Sequence, residues 1–319
     1  MDAILIVLEK LAYLVLLVSV GIIAAHFKLI TDEGVRVISR LLVDIFWPAT
    51  ILSSIASQLT RADIIANALL PVLAFATAAV GVLVGLVTVR LFRFSGKERG
   101  IFIYDSAINN FVYFPLAFIS TMMPGKGPAL LFIHNLGFIL AIWTIGVSAL
   151  RGSMNLRENL KGIVPTGLIA TAVGIIIALS DVKMHTPPAF NKFLFLVFDT
   201  IGKPTMAVAM IIAGVEIYKL GFKSLRFDTW NIVLGVMRLA VIPLVLFAAA
   251  LGLRALGVSR EITLIFVLVG IMPVSINSIS LSIRFGASAR RAAEAAVFTH
   301  LFGIATIAVF MTAIQRFFG

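Results

Sequence analysis

The sequence predicts an all-α polytopic membrane protein of ten transmembrane helices, arranged as two inverted five-helix repeats. Three observations predict it. The 319 residues are 61% hydrophobic and 13% charged, with a mean hydropathy of +1.09, whereas soluble proteins carry about 25% charged residues. Apolar runs of spanning length recur along the whole chain, separated by short connections. Finally, a set of polar residues in the first half returns in the second.

The spans fall at about 4–26, 37–57, 64–90, 101–123, 128–150, 163–180, 193–217, 230–253, 262–284 and 294–317. Residues 1–150 form the first repeat and 163–317 the second. Met1 to Glu9 carries neither a basic leader nor a small-residue cleavage site and reads as the start of span 1. The net charge of +11 and pI of about 10.3 come from lysines and arginines dispersed through the loops, which argues against a nucleic-acid partner. Sixteen of the 26 lie after spans 1, 3, 5, 7 and 9, with Lys223 among them. Eight, including Lys183, lie on the other face, and Lys203 and Arg238 lie within spans. The positive-inside rule then places both termini outside the cytoplasm, in what reads as a bacterial inner membrane. With no cysteine, disulfides and thiolate metal sites are excluded, and no metal centre or cofactor is expected.

The repeat rests on several matches. "FIHNLG" (Phe132 to Gly137) in span 5 returns as "FTHLFG" (Phe298 to Gly303) in span 10. Arg90 and Arg254 close spans 3 and 8, and Glu98 and Glu261 open spans 4 and 9. "DIFWP" (Asp44 to Pro48) is echoed by "DTIGKP" (Asp199 to Pro204). Five spans is an odd number, so the second copy enters the bilayer from the opposite side. Inverted repeats of that kind characterise secondary transporters with alternating access.

Spans 4 and 9 carry the residues least suited to lipid. Span 4 contains Asn109, Asn110 and Pro115; span 9 contains Pro273, Ser275, Asn277 and Ser278. Proline removes a helical hydrogen bond, and freed backbone at that depth survives only in protein or a watery cavity. Two broken helices related by an in-plane axis would cross at mid-membrane, aiming the positive N-termini of their second halves at one point suited to a carboxylate. These seven residues are the substrate-binding candidates. A kink serving packing alone is the competing explanation, and its weight falls when both copies share the feature.

Intramembrane ionisable groups are functional candidates by default. Asp105, one turn before the asparagines, is the candidate for proton or cation coupling. Arg238 could attract an anion or balance Asp105, and His134 and His300 could relay protons or simply bond a neighbouring helix. Asp44 and Asp199 recur beside their prolines and read as structural, with Lys203 neutralising Asp199. Sodium coupling would need a site the sequence does not locate. No serine-nucleophile, zinc-protease or phosphate-loop motif is present, so an enzyme is not expected.

The segment "GIIAAHFKLITDEGVRVISRLLVDIFWPATILSSIA" (Gly21 to Ala56), with "AINNFVYFPLAF", "FIHNLGFILAIWTIGV", "MRLAVIPL" and "IMPVSINSISLSIRFG", resembles the auxin efflux carrier family, which includes malate and malonate permeases. The resemblance implies a fold similar to sodium/proton antiporters and bile-acid symporters. It implies a scaffold and homodimer interface from spans 1, 2, 6 and 7, and a moving transport domain from spans 3–5 and 8–10. It also implies carboxylate binding at Asn109, Asn110, Pro115, Pro273 and Asn277. The chain departs from the family in its bulky "NNFVYFP" and in lacking a long loop between Leu150 and Ile163. The function expected is secondary carriage of a small organic anion. A cation/proton antiporter on the same fold is the first alternative, and a ligand-binding membrane receptor the second.

Overall fold

The computed structural model describes residues 2–161, 166–180, 187–221 and 225–318. The loop lysines Lys183 and Lys223, and the start of span 6 at Ile163, lie outside these. Among the described residues the chain is helical, apart from an isolated antiparallel bridge between Asn109 and Val274.

Helix α1 (Asp2–His26) is followed by α2 (Asp32–Leu41), which passes through a π-helical turn (Leu42–Phe46) into α3 (Trp47–Gln58). The short α4 (Arg61–Ala66) leads to α5 (Leu69–Leu91). Helices α6 (Gly96–Ala107) and α7 (Tyr113–Met122) share span 4. Span 5 is α8 (Lys126–Ala141), a π turn (Ile142–Gly146) and α9 (Val147–Arg151). Then come α10 (Leu156–Leu160), α11 (Thr166–Leu179), α12 (Pro188–Gly202) and α13 (Thr205–Leu220). Span 8 is α14 (Thr229–Val236), a third π turn (Met237–Val241) and α15 (Ile242–Ala255). Span 9 divides into α16 (Arg260–Gly270) and α17 (Ser278–Phe285), and α18 (Ala289–Phe318) closes the chain.

The sequence sets these ends chemically. Thr60 and Asp63 form a reciprocal capping box on α4, and the Asp228 and Ser259 side chains accept from N–H groups of α14 and α16. Five stretches are long and apolar enough to cross a membrane: Arg61–Leu91, Lys126–Arg151, Pro188–Lys219, Thr229–Ala255 and Ala289–Phe318. Ala12–His26, Tyr113–Met122 and Thr166–Leu179 are shorter apolar helices. Spans 4 and 9 fall short because each is cut in two. A 12-residue helix such as α6 rises about 18 Å, against a hydrocarbon core of about 30 Å.

Glycine decides how closely two of these helices approach. At the α1–α13 crossing, Gly21 and Gly214 face each other, and a Cβ on Gly214 would collide with the Val18 carbonyl and the Gly21 Cα. Small residues at such a crossing let backbones meet where no water drives association. Beside this pair, α3 packs on α11 and α12, while α5 packs on α6 and α8 and α15 on α16. The core centres on α6, α8 and α16, which bury most of their residues.

Candidate functional site: the crossing of two broken helices

Helix α6 stops at Ala107, and the chain runs extended through Asn109 before α7 begins at Tyr113. Helix α16 stops at Gly270, and α17 begins at Ser278. The two extended segments pair antiparallel. The Asn110 N–H donates to the Pro273 carbonyl at 2.8 Å, and the Ser275 N–H to the Ile108 carbonyl at 3.2 Å. Each segment thereby satisfies the backbone the other has freed, which is the condition for broken helices at this depth.

The proline positions differ from the simplest reading of the sequence. Pro273 lies inside its break and supplies an accepting carbonyl. Pro115 lies beyond its break, in the first turn of α7, where a missing N–H is one the helix would leave unbonded anyway. The unwinding in span 4 is therefore centred on the asparagines.

Arg238 ties the crossing together. It projects from the π turn of span 8, is fully buried, and donates to the Met272 carbonyl (2.9 Å), the Ser106 carbonyl (3.2 Å) and the Gly270 carbonyl. These carbonyls belong to the C-terminal ends of α6 and α16 and the chain just beyond, where partial negative charge collects. Its described partners are thus backbone carbonyls, with no ion pair to Asp105 among them.

A cavity of about 450 Å³ opens beside the crossing, within the range of small-ligand sites. Asn110, Ser275 and Asn277 line it, joined by Tyr113, Asn135 and Thr171. Its remaining wall is mostly apolar, with Trp47, Phe132, Ile139 and Trp143. Among the described lining residues Glu216 is the single charged one, and it pairs with Lys219 at 3.2 Å. Helices α7 and α17 begin at this cavity, and neither N-cap, Val112 or Asn277, makes a side-chain capping bond. The positive character on the wall therefore comes from helix ends and amide groups.

The other candidates sit elsewhere. Asn109 points away, donating its amide to the Val269 carbonyl at 2.5 Å. Pro115, Pro273 and Ser278 shape the half-helices without lining the cavity. Asp105 is fully buried behind the crossing. His134 is buried against Phe138, and neither ring nitrogen has a hydrogen-bond partner. His300 bonds the Ala296 carbonyl through Nδ1 at 2.8 Å and meets the Phe114 ring edge-on. Asp44 is exposed in the first π turn, and Asp199 pairs with Lys203 at 3.3 Å.

Sequence reasoning passed over Asn135. It adjoins His134 in the repeated motif, and its buried amide oxygen and nitrogen have no hydrogen-bond partner while the residue lines the cavity. The signal was present, an amide within a span, but an ionisable neighbour drew the attention.

An all-helical fold with several membrane-length apolar helices, and with two helices interrupted beside a mostly apolar cavity that carries a few amide groups, is that of an integral membrane protein that handles a solute. Residues 6–161 match the family model described as membrane transport protein. This match, over the first repeat, agrees with the resemblance to the auxin efflux carriers and marks the protein as a membrane transport protein and not an enzyme. It is also 25% identical over 272 residues to an uncharacterised transporter of Methanocaldococcus jannaschii, a match covering 83% of each chain.

Proposed function

We propose that this protein is a secondary carrier for a small organic anion, a mono- or dicarboxylate of the malate, malonate or auxin-like kind. The observation that carries the reading is the meeting of two uncapped helix N-termini, on α7 and α17, at one amide-lined cavity. Helix dipoles and the side-chain amides of Asn110, Asn135 and Asn277 favour a carboxylate there, while the first N–H groups of α17 are already held by the Ser275 and Ile276 carbonyls. The shortage of basic side chains and the aromatic wall suit a monocarboxylate with an apolar body better than a doubly charged acid.

The ten spans act as two inverted repeats in this reading, in a bacterial inner membrane, with both termini outside the cytoplasm. In that orientation the cavity opens inward, because Ser39, Val43, Glu216 and Leu281 sit toward the cytoplasmic ends of their spans. Transport proceeds as an elevator, the group of spans 3–5 and 8–10 moving against spans 1, 2, 6 and 7, which also form a homodimer interface. The distribution of polar bonds supports this division. His26–Tyr218, Thr50–Thr205, Thr166–Val43 and Lys219–Asp32 bonds join members of the smaller group. Lys126–Asp63, Arg238–Ser106, Arg291–Glu98 and Arg260–Phe318 bonds join members of the larger. Contacts between the groups include Trp47 edge-on to Tyr113 and Phe132 at 5.6 and 5.1 Å, ring contacts of a kind that can slide.

Thermal unfolding of the purified protein against malate, malonate, succinate and indole-3-acetate, with and without sodium, tests the reading. A ligand at 100 times its dissociation constant stabilises a folded state by about 2.7 kcal/mol. A shift with one of these acids is expected; a response to sodium or pH alone, with none to the acids, would overturn it.

A further inference from the structure

We infer that Asp105 carries the proton that accompanies the transported anion, one proton for each carboxylate; this rests on the carboxylate reading given above. Asp105 is fully buried on α6, and neither carboxyl oxygen has a hydrogen-bond partner. It faces the side chain of Ser278, the first residue of α17, which packs on α6, without a hydrogen bond between them. The Ser278 and Ser282 hydroxyls, one turn apart on α17, are likewise buried and unpartnered. The carboxyl thus stands behind the α17 N-terminus, whose other side, at Ser275 and Asn277, lines the cavity.

The groups around Asp105 are few. On its own helix Tyr104 adjoins it, with an unpartnered hydroxyl. Helix α5 packs on α6 through Gly81 and Gly85, which meet Ile103, Ser106 and Ala107, and brings no charge there. The π turn of span 8 brings Arg238, which donates to the carbonyl of the adjacent Ser106. The π turn of span 5 (Ile142–Gly146) is uncharged, and Arg151 at the end of α9 pairs with Glu158. Helix α18 also packs on α6; its Thr299 accepts from the Val274 N–H, and His300, with Nδ1 engaged, lies against Phe114. Arg290 and Arg291 of the same helix pair with Glu98, and Arg291 also with Glu294 and Asp228; Glu98 stands seven residues before Asp105 and so about 10 Å along the helix. Arg284 at the far end of α17 stacks over Trp143 and Phe285.

The positive features within reach of Asp105 are therefore Arg238, whose donors are committed to carbonyls, and the N-terminus of α17. An anion in the cavity claims that same helix end. Two negative charges on one terminus inside a low-dielectric protein repel, so the state with the anion bound is the state with Asp105 protonated. The proton comes from water on the side where the anion enters and leaves with it on the other side. A monocarboxylate then crosses without net charge.

The test adds indole-3-acetate, and separately malate, to full-length protein in detergent and weak buffer, reading proton uptake with an indicator dye and binding across pH. The expected result, at a pH where Asp105 is ionised in the empty protein, is about one proton taken up per anion bound, with affinity falling about tenfold per pH unit above the titration of Asp105. Asp105→Asn should bind with no uptake and a flat pH profile, and Asp105→Glu should restore both. If Asp105→Asn does not fold, the wild-type stoichiometry decides, because binding without proton uptake overturns the proposal. Uptake that persists in Asp105→Asn, or dependence on sodium instead of pH, overturns it as well. Failure of the wild type to bind any acid of the panel would instead sink the carrier reading, and this proposal with it.

Discussion

At the scale of single residues, the two neighbouring asparagines of span 4 have opposite jobs. Asn110 faces the cavity and serves the fold through its main-chain N–H, so Asn110→Ala should fold normally yet bind its acid at least about tenfold more weakly, a loss of about 1.4 kcal/mol. Asn277→Ala should behave the same way, both read by calorimetric titration. Asn109→Ala removes the bond to the Val269 carbonyl and should lower stability by about 1 kcal/mol more than it lowers affinity. Arg238→Lys keeps the charge but not the fork that reaches three carbonyls, so a loss of about 2 kcal/mol is expected in thermal unfolding. The sequence marked both asparagines but could not rank them. In extended backbone adjacent side chains point to opposite faces, and which face meets the cavity depends on the partner strand from span 9. Asn135 shows the same limit on a helix, where the cavity's position selects it over His134.

The elements were legible where residue type forces geometry. Paired prolines and asparagines revealed that spans 4 and 9 break, because an amide-rich, proline-bearing stretch has no stable lipid-facing helix. The centre of the span 4 break at Ile108 to Val112, and not at Pro115, was not legible, since a proline fits the first turn of a helix as well as a kink. The three π turns also escaped, as no residue in "LVDIF", "IWTIG" or "MRLAV" demands one. Yet the last of these positions Arg238, in keeping with the habit of such turns to appear at functional sites. The α1–α13 crossing yields a prediction of its own. Gly214→Leu would force apart backbones in contact at Gly21, and a loss of about 1–3 kcal/mol is expected from the thermal midpoint.

For the whole molecule, composition and the run of apolar spans gave the membrane class. What stayed hidden was how the helices group, because that depends on contacts between segments far apart in the chain. The proposed division predicts a mechanical result. Ser54 and Ser120 line one cavity across the seam, so Ser54→Cys with Ser120→Cys in this cysteine-free chain, joined by a short bismaleimide, should stop transport in vesicles while leaving stabilisation by the acid intact. Unimpeded transport after complete cross-linking would refute relative movement there. A second prediction concerns the ion cluster holding the larger group together. Burial tends to raise the Asp228 pKa, but the hydrogen bond from Arg291 outweighs it, aided by the Asn231 N–H, and holds it below the ordinary carboxylate value. A depressed pKa contributes stability above the unfolded value of about 3.9, and that contribution is lost as pH falls through the folded one. Asp228→Asn should therefore lower the thermal midpoint at neutral pH, with the gap to wild type closing as the pH is taken below about 4.

The crossing is fastened by main-chain bonds between residues 108–110 and 273–275, and by an arginine that reads carbonyls. None of those bonds depends on which side chain stands at Asn110, Ser275 or Asn277. Mutation can therefore alter the part that touches the cargo while the frame keeps its shape. A lineage built on this frame can change what it carries through a few substitutions at the crossing, without passing through unfolded intermediates.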